Sequence, residues 1–326
     1  MVSLRDTFKK HTGFLRGLKL SYVINNLLNA DKLKHNKALY KKYGVKKSIY
    51  APIGSKDFGY SLAGGIPWLD VPGAAGMLPH NEDFKKFSSE EQQQILHFIE
   101  NGFMILKGFY KNGEIEKLNA EVERLLKEQK TGFNYTGRKI MDAYRFSDII
   151  KNGFFNNKRL LKLLDFIMGK KTIPFQTINF IKGSEQRAHS DSIHMTTQPP
   201  GHLIATWTAL EQVHQGNGPL FYYPGSHRLP YITTQEYDSG NSYFFIGKNS
   251  NKKYEDKIAE TIKEFGFQKK YFHADKGDVL IWHANLIHGG EAITQKGATR
   301  KSMVAHYFCE GVICYHEISQ RPALIG

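Results

Sequence analysis

Short apolar strands fill the second half of the chain, and they limit its possible folds more than any other feature. After Gly169, runs rich in β-branched and aromatic residues alternate with turns, and most are joined without an intervening helix. Strands that follow one another so closely indicate antiparallel pairing, since parallel strands need a long crossover between them. The pattern therefore predicts an antiparallel double-sheet jelly roll rather than a parallel sheet. The predicted strands of this half cover residues 172–181, 203–210, 220–223, 279–282 and 302–308, and one further short strand, residues 103–106, is predicted before them.

Helical patterns precede the strands and interrupt them once. Ser88 and Ser89, with Glu91 and Gln92 three residues further on, are typical of the first turn of a helix. Apolar spacing predicts two more helices before residue 172 and one between residues 223 and 279. The expected fold class is α+β, with a double-stranded β-helix (a cupin-like jelly roll) of antiparallel strands flanked by N-terminal helices. The apolar positions of the three later helices lie within residues 115–126, 160–167 and 254–265.

The chain of 326 residues is most simply divided into a basic N-terminal extension, residues 1–85, and one catalytic domain, residues 86–326. The net charge is +14, and residues 1–50 supply +10 of it, with twelve Lys or Arg against two Asp. The extension is expected to pack on the core through an apolar helix face, with its lysines in water. Contact with a membrane surface is the alternative. The apolar face consists of Phe14, Leu15, Leu18, Tyr22, Val23, Leu27 and Leu28.

Composition disfavours several classes of protein. No apolar run is long enough to span a bilayer, and Arg16 and Lys19 interrupt the apolar stretch near the start, so a secretory signal is not expected either. The chain has two cysteines, Cys309 and Cys314, and both are expected to be reduced thiols. We predict a cytoplasmic protein with a small-molecule substrate and no nucleic acid partner. The sequence does not predict an oligomeric state.

One His-x-Asp triplet, His189-Ser190-Asp191, offers two ligands for a metal ion. Residues two apart on a strand point to the same side, so the imidazole and the carboxylate can bind one ion together. A site for Fe(II) with open positions needs a second imidazole. His283 and His288 are candidates, and because they are five apart, one continuous strand would turn only one of them toward the ion. This reasoning does not choose between them.

The sequence around the triplet resembles that of the phytanoyl-CoA dioxygenase-like family of Fe(II)/2-oxoglutarate oxygenases. The resemblance runs from about Phe87 to Phe308 and depends on the order and spacing of several short motifs. It implies that His288, in its Leu-Ile-His-Gly setting, completes an iron site with His189 and Asp191. The motifs are Gly183-Ser-Glu-Gln-Arg-Ala-His-Ser-Asp191, Trp207-Thr-Ala-Leu-Glu211, Asn217-Gly-Pro-Leu220, Pro224-Gly-Ser-His227 and Lys276-Gly-Asp-Val279.

The same resemblance implies a binding site for 2-oxoglutarate. Arg300 is expected to neutralise the far carboxylate of this cosubstrate with two parallel hydrogen bonds, which a lysine cannot reproduce. By their positions, Gln176 and Trp207 are expected to line the cosubstrate or substrate pocket, and Lys139 to add a second positive contact. The chain departs from some relatives at Gly290, where they carry a serine two residues after the distal histidine.

These residues together predict an Fe(II)/2-oxoglutarate-dependent dioxygenase that consumes O2, releases succinate and CO2, and hydroxylates a small metabolite. The basic charge favours an acidic or phosphorylated substrate. Family relatives that halogenate have a small residue in place of Asp191, so the carboxylate favours hydroxylation or desaturation. The alternative is a non-catalytic or differently metallated cupin-like protein that binds an anionic partner through its basic N-terminal arm.

Overall fold

A computed structural model describes residues 15–58, 65–132 and 137–325 of the chain. Its strands occur at the predicted places, together with several short ones that the sequence pattern did not indicate. They are β1 (Phe103–Leu106), β2 (Lys139–Met141), β3 (Thr172–Phe180), β4 (Thr196–Gln198), β5 (Leu203–Ala209), β6 (Leu220–Tyr222), β7 (Lys270–Phe272), β8 (Val279–His283), β9 (His288–Gly290), β10 (Ser302–Cys309), β11 (Ile313–His316) and β12 (Arg321–Pro322).

Within the described residues, the strands form three sheets that build a jelly roll. The largest has the order β1-β8-β5-β10-β3-β2, and the smaller ones have the orders β7-β6-β9 and β12-β11-β4. Every pairing within them is antiparallel. Buried side chains of β5, β8 and β10 pack with those of β6 and β7 in one core cluster between two sheets. The predicted α+β class with a double-stranded β-helix is therefore confirmed.

Helices pack on the other face of the largest sheet. Residues of α4, α5 and α7 share a core cluster with Met303, Ala305 and Tyr307, which alternate along β10 with residues that face the second sheet. The four longest helices, α4, α5, α7 and α8, lie where the apolar spacing of the sequence predicts them. The helices are α1 (Lys19–Leu28), α2 (Asn36–Lys42), α3 (Ala74–Met77), α4 (Ser89–Asn101), α5 (Asn112–Lys127), α6 (Asp148–Ile150), α7 (Lys158–Met168) and α8 (Ser250–Phe265).

The ends of α4 are fixed by the capping residues from which the sequence predicts this helix. The Ser88 hydroxyl accepts a hydrogen bond from the Glu91 amide, and the Glu91 carboxylate accepts one from the Ser88 amide, so both otherwise unpaired N–H groups are satisfied. At the other end, Gly102 adopts φ +79°, a left-handed conformation that ends the helix at little cost. The chain then enters β1, whose partner is β8.

The N-terminal segment packs on the barrel, but α1 follows the sequence expectation only in part, because Leu18, Tyr22 and Val23 are half-buried whereas the last two leucines are exposed. Leu33, Tyr40, Ile49 and Ile53 share a core cluster with β11. In α1, however, Lys19 and Asn26 are buried, whereas Leu27 and Leu28 are 54 % and 81 % exposed. Phe14, the first residue of the expected apolar face, lies outside the described residues. The boundary between residues 85 and 86 stays a prediction.

Two smaller expectations concern thiols and membrane spans. Both cysteines are free and buried, which agrees with the expectation of reduced thiols. Within residues 15–58, 65–132 and 137–325, no helix combines the length and the apolar character that crossing a bilayer requires.

Candidate metal centre

Three buried side chains, His189, Asp191 and His288, meet inside the jelly roll. One potential ligand atom from each lies within 4.8 Å of the other two. The Nε2 atoms of His189 and His288 lie 3.9 Å and 3.8 Å from Oδ1 of Asp191. Two imidazole nitrogens and one carboxylate oxygen therefore face a common point, which is a donor set that suits a divalent transition metal.

The local backbone differs from the continuous strands assumed from the sequence. His189 and His288 form an isolated antiparallel bridge, in which each amide donates to the carbonyl of the other at 2.9 Å. Asp191 is not on a strand, because it begins a short 3₁₀ turn, Asp191–Ile193. His283 ends β8 and His288 begins β9. The imidazoles of His189 and His288 therefore come together through this backbone bridge. Because His283 and His288 lie on different strands, the two-residue period of a single strand does not decide which of them joins Asp191.

Backbone carbonyls fix the orientation of both imidazoles. Nδ1 of His189 donates to the carbonyl of Arg187 at 2.8 Å, and Nδ1 of His288 donates to the carbonyl of Leu286 at 3.0 Å. This tautomer leaves each Nε2 lone pair free to bind a metal. Burial, reinforced by the neighbouring His288, lowers the pKa of His189 to about 3. The His189 ring is therefore neutral at physiological pH, as a metal ligand must be.

The second oxygen of Asp191 is held by residues that the sequence pattern did not single out as partners. Trp282 Nε1 donates to Oδ2 at 2.8 Å, and His306 Nε2 lies 3.5 Å from the same atom. Burial alone raises the pKa of Asp191, but His288 and His306 outweigh it and hold the pKa well below its usual range. The carboxylate is therefore ionised, with Oδ1 facing the two histidines.

Arg300 is a buried cation in the same cavity. The cavity measures about 70 Å³ and is lined by all three potential metal ligands together with Arg300 and Trp207. Arg300 is 2 % exposed, and Nη1 donates to Ser302 Oγ at 3.2 Å, whereas Nε has no hydrogen-bond partner among the residues that the structure describes. Its guanidinium makes no ion pair with any residue in the described part of the chain. It lies 5.5 Å from the ring centroids of both Phe180 and Trp207.

Burial lowers the pKa of Arg300, but the guanidinium stays charged. Desolvation lowers the pKa of Arg300 to about 10, and Glu211 partly opposes the shift. Glu211 itself accepts hydrogen bonds from the Thr299 hydroxyl and the Lys301 amide. Arg300 thus stays protonated at neutral pH and has hydrogen-bonding capacity that no residue in the described ranges uses.

Two predicted pocket residues do not line this cavity. Gln176 lines a neighbouring cavity of about 140 Å³. The Lys139 amine lies 5.8 Å from the ring centroid of Phe180, and burial lowers its pKa. Trp207, in contrast, lies in the same cavity as Arg300. The roles of Gln176 and Lys139 stay predictions.

Gly290 is also explained by its surroundings. A Cβ atom at position 290 would lie 2.6 Å from the hydroxyl oxygen of Ser184 and 3.6 Å from Nη2 of Arg300. Ser184 lines the cavity. The space that a serine at position 290 would use is therefore taken by the hydroxyl of another serine, which the sequence pattern alone did not reveal.

His283 belongs to a separate cluster. Its Nε2 lies 3.0 Å from Oδ2 of Asp70, and its Nδ1 accepts a hydrogen bond from the Asn285 amide. The His227 ring centroid lies 5.5 Å from that of His283. His283 is thus a hydrogen-bonded core residue, the fallback role that the sequence reasoning gave to the histidine not chosen as a ligand.

The jelly roll, the buried His-Asp-His cluster and the unpaired arginine beside it define the class of non-haem iron, 2-oxoglutarate-dependent oxygenases. The family model of phytanoyl-CoA dioxygenase (PhyH) matches residues 98–302, which is more than half of the chain. The chain belongs to this family. As a member of this family it is a 2-oxoglutarate-dependent non-haem iron dioxygenase, and the buried His-Asp-His cluster has the donor set that suits Fe(II).

Individual relatives are distant. Phytanoyl-CoA dioxygenase, peroxisomal, of Rattus norvegicus is 23 % identical over 242 residues, which cover 66 % of this chain and 67 % of the relative. Among solved structures, the epimerase SnoN from nogalamycin biosynthesis has a TM-score of 0.55 at 20 % identity and covers 68 % of this chain and 82 % of its own. EctD from S. alaskensis with bound Fe has a TM-score of 0.53 at 19 % identity, with coverages of 68 % and 77 %. These structures support the fold.

Proposed function

We propose that His189, Asp191 and His288 bind the Fe(II) ion of this oxygenase. The observation that carries the proposal is the approach of two imidazole Nε2 atoms to one oxygen of Asp191, at 3.9 and 3.8 Å. Both Nδ1 atoms are already used by backbone carbonyls, so the rings are oriented before the metal arrives. Trp282 occupies the other oxygen of Asp191, which leaves one oxygen to act as a ligand. Three protein ligands leave positions open for a cosubstrate.

We propose that Arg300 binds the far carboxylate of 2-oxoglutarate. A planar guanidinium with an unused Nε can form charge-assisted hydrogen bonds to a carboxylate. The rings of Trp207 and Phe180 flank the guanidinium and restrict its orientation. When bound, iron supplies, with 2-oxoglutarate and O2, the oxidising power for hydroxylation of a C–H bond, with succinate and CO2 as the other products. The residues of the chain orient the cosubstrate and keep bulk water out.

We propose that the substrate carries a carboxylate or phosphate group, which binds on the side of Gln176. This residue lines the 140 Å³ cavity together with His194, His316 and Arg321, and none of the described residues that line it is acidic. The His194 ring joins this cavity to the metal centre, since its centroid lies 5.7 Å from that of His189 and 5.4 Å from that of His316. Burial lowers the pKa of His194 to about 4 and also lowers the pKa of His316, so both rings are neutral at pH 7 and Arg321 is the cation that favours an anionic group here.

A larger cavity provides room for the rest of the substrate. It measures about 600 Å³ and shares Met195 and Tyr315 with the smaller one. It also includes Ser192, the residue after Asp191, and Lys56 from the N-terminal segment. We therefore propose that the substrate lies in this large cavity, with its acidic group in the small one.

His288 and His283, the two candidates for the second histidine ligand, provide a matched test of the ligand set. Anaerobic titration with Fe(II) and 2-oxoglutarate is followed by the weak metal-to-ligand absorption band. We expect His288→Ala to lose the band and His283→Ala to keep it, because His283 is bonded to Asp70 and lies outside the cluster. A band that survives in His288→Ala and disappears in His283→Ala would reverse the assignment.

The acidic substrate is tested by succinate release in air. Carboxylated, phosphorylated and neutral metabolites are compared for their ability to stimulate turnover of 2-oxoglutarate. We expect acidic compounds to stimulate, and Arg321→Gln to raise the concentration needed for half-maximal stimulation. Arg138→Gln, which alters an exposed arginine paired with Glu185, is the control. Equal stimulation by neutral analogues would contradict the proposed anion site.

We propose a cytoplasmic location for the enzyme, as the sequence predicts. The peroxisomal location in the name of the rat relative applies to that protein. Cell fractionation with antibody detection tests the proposal, and recovery in the peroxisomal fraction contradicts it.

A further inference from the structure

Helix α1 exposes its apolar side and buries polar residues. Leu20, Ile24, Leu27 and Leu28 are 63 %, 52 %, 54 % and 81 % exposed. Their spacing places them on one face of the helix. On the inward side, Lys19 and Asn26 are 3 % and 1 % exposed, and the half-buried Tyr22 and Val23 lie beside them. An amphipathic helix on a protein surface normally has the reverse arrangement, so this apolar face needs a partner other than the core of its own chain.

A loop with three exposed aromatic residues lies beside the helix. Tyr243, Phe244 and Phe245 are 84 %, 64 % and 50 % exposed. The Lys19 amide donates to the carbonyl of Phe244 at 2.9 Å, and the Ile246 amide donates to the carbonyl of Gly17 at 2.9 Å. The helix and the loop are therefore joined by backbone hydrogen bonds. The apolar docking surface, as we define it, consists of Leu20, Ile24, Leu27, Leu28, Tyr243, Phe244 and Phe245.

The buried lysine holds this arrangement in place. The Lys19 amine donates to the carbonyl of Ser242 and to Oε1 of Gln320, each at 2.6 Å. Asn26 donates to the carbonyl of Tyr50 at 3.0 Å. These bonds connect α1 with the aromatic loop and with the C-terminal part of the chain. The exposed orientation of the leucines is thus specified by polar contacts on the other side of the helix.

The charge around the apolar docking surface indicates its partner. Between residues 15 and 48 the exposed acidic side chain is Asp31, and it pairs with Lys34. A second copy of the chain would bring the same positive charge to the contact and be repelled, whereas an anionic lipid surface would be attracted. The exposed basic residues of this segment are Arg16, Lys34, Lys37, Lys41, Lys42, Lys46 and Lys47, and Lys248 follows the aromatic loop.

We propose that the apolar docking surface binds the protein to the surface of an anionic phospholipid membrane. The leucines and aromatic rings enter the boundary between headgroups and acyl chains, and the lysines contact lipid phosphates. Aromatic side chains are favoured at this depth. Helix α1 lies between this surface and the proposed substrate site, because the guanidinium of Arg321 lies 5.8 Å from the ring centroid of Tyr22, a half-buried residue on the other side of the helix.

Vesicle sedimentation with the full chain tests the proposal. Phosphatidylcholine vesicles are compared with vesicles that also contain phosphatidylglycerol, at low and high salt. We expect binding to the anionic vesicles, weakened by salt. The double variant Leu28→Ser with Phe244→Ser should bind at least about tenfold more weakly, because two large side chains no longer leave water. The control is Ile149→Ser, an exposed apolar residue on α6.

Three results would overturn the proposal. The first is no sedimentation with anionic vesicles at low salt. The second is an equal loss of binding in the control variant. The third is a concentration-dependent dimer, measured by light scattering and lost in the double variant, which would assign the surface to a second copy of the chain. Thermal unfolding and the iron and 2-oxoglutarate absorption band verify that the double variant is folded, and they separate this test from that of the active site.

Discussion

Replacing Arg300 with methionine should strengthen the metal-free fold while weakening the binding of 2-oxoglutarate. Burial lowers the pKa of Arg300 from 12.5 to about 10. At 1.36 kcal/mol for each pKa unit, burial therefore costs the protonated guanidinium about 3 kcal/mol. Methionine is free of this cost, but it loses the contacts with the Trp207 and Phe180 rings, worth about 0.5–1 kcal/mol each. The net expectation is a stabilisation of about 1–2 kcal/mol, seen as a melting temperature a few degrees higher.

The same change should act in the opposite direction on the cosubstrate. Two charge-assisted hydrogen bonds, at about 1.5–3 kcal/mol each, are lost with Arg300→Met. At about 1.4 kcal/mol for each factor of ten, the Kd for 2-oxoglutarate should rise by about 10²- to 10⁴-fold. Arg300→Lys keeps the charge without the planar pair of donors, so a smaller loss of about 10- to 100-fold is expected.

Two measurements on the same preparations test these opposite effects on stability and on 2-oxoglutarate binding. Calorimetric melting of the metal-free protein reports the stability, and anaerobic titration of the iron-loaded protein reports the Kd. Arg138→Met is the control, because this exposed arginine pairs with Glu185 and surface pairs contribute about 0–1 kcal/mol. An Arg300→Met protein that melts at a lower temperature and binds 2-oxoglutarate as tightly as the wild type would refute the reasoning.

Three further changes address the surroundings of the metal centre. Trp282→Phe removes the donor to the proposed carboxylate ligand, so Fe(II) affinity in competition with a chelator should fall about 10- to 100-fold. His283→Ala should leave iron binding intact but destabilise the fold by about 1–3 kcal/mol, because the partly buried Asp70 carboxylate loses a hydrogen-bond partner. Burial raises the pKa of Asp70, but His283 outweighs it and holds that pKa below 3.8. The stabilisation by the His283–Asp70 pair is therefore present above about pH 4 and is lost as the pH falls through the pKa of Asp70 in the folded protein. The urea midpoints of the wild type and His283→Ala should converge in acid. Gly290→Ser crowds the Ser184 hydroxyl and should lower stability by about 1–2 kcal/mol, and adding Ser184→Ala should restore the melting temperature.

Local signals in the sequence were sufficient for the elements of the fold. The helix that begins after Ser88 could be predicted because its capping contacts join residues three apart, and Gly102 and Gly169 supply left-handed ends to their helices. The strands of the largest sheet could be predicted because their apolar runs are bounded by turns. Jelly-roll topology followed from the short connections, since these exclude parallel crossovers.

Strand periodicity predicted two of the proposed metal ligands, although the backbone at Asp191 is not a strand. Strand parity placed His189 beside Asp191, yet Asp191 lies in a 3₁₀ turn and faces the histidine because the chain bends there. Parity could not choose between His283 and His288 for the same reason, as a turn separates the strands that carry them. The donor to Asp191, Trp282, is 91 positions away, and no periodic pattern relates residues at that distance.

Helix α1 illustrates a more general limit of periodicity. Apolar spacing identifies which residues share a face, but the direction of that face depends on which side of the helix makes more favourable contacts in the folded protein. In α1 those contacts are polar, and the partners of the Lys19 amine, Ser242 and Gln320, lie 223 and 301 positions away. Burying a lysine is costly unless it is well bonded, so the bonds that satisfy Lys19 also keep Leu28 in solvent. An apolar face that the fold itself holds outward is best explained by a partner outside the chain.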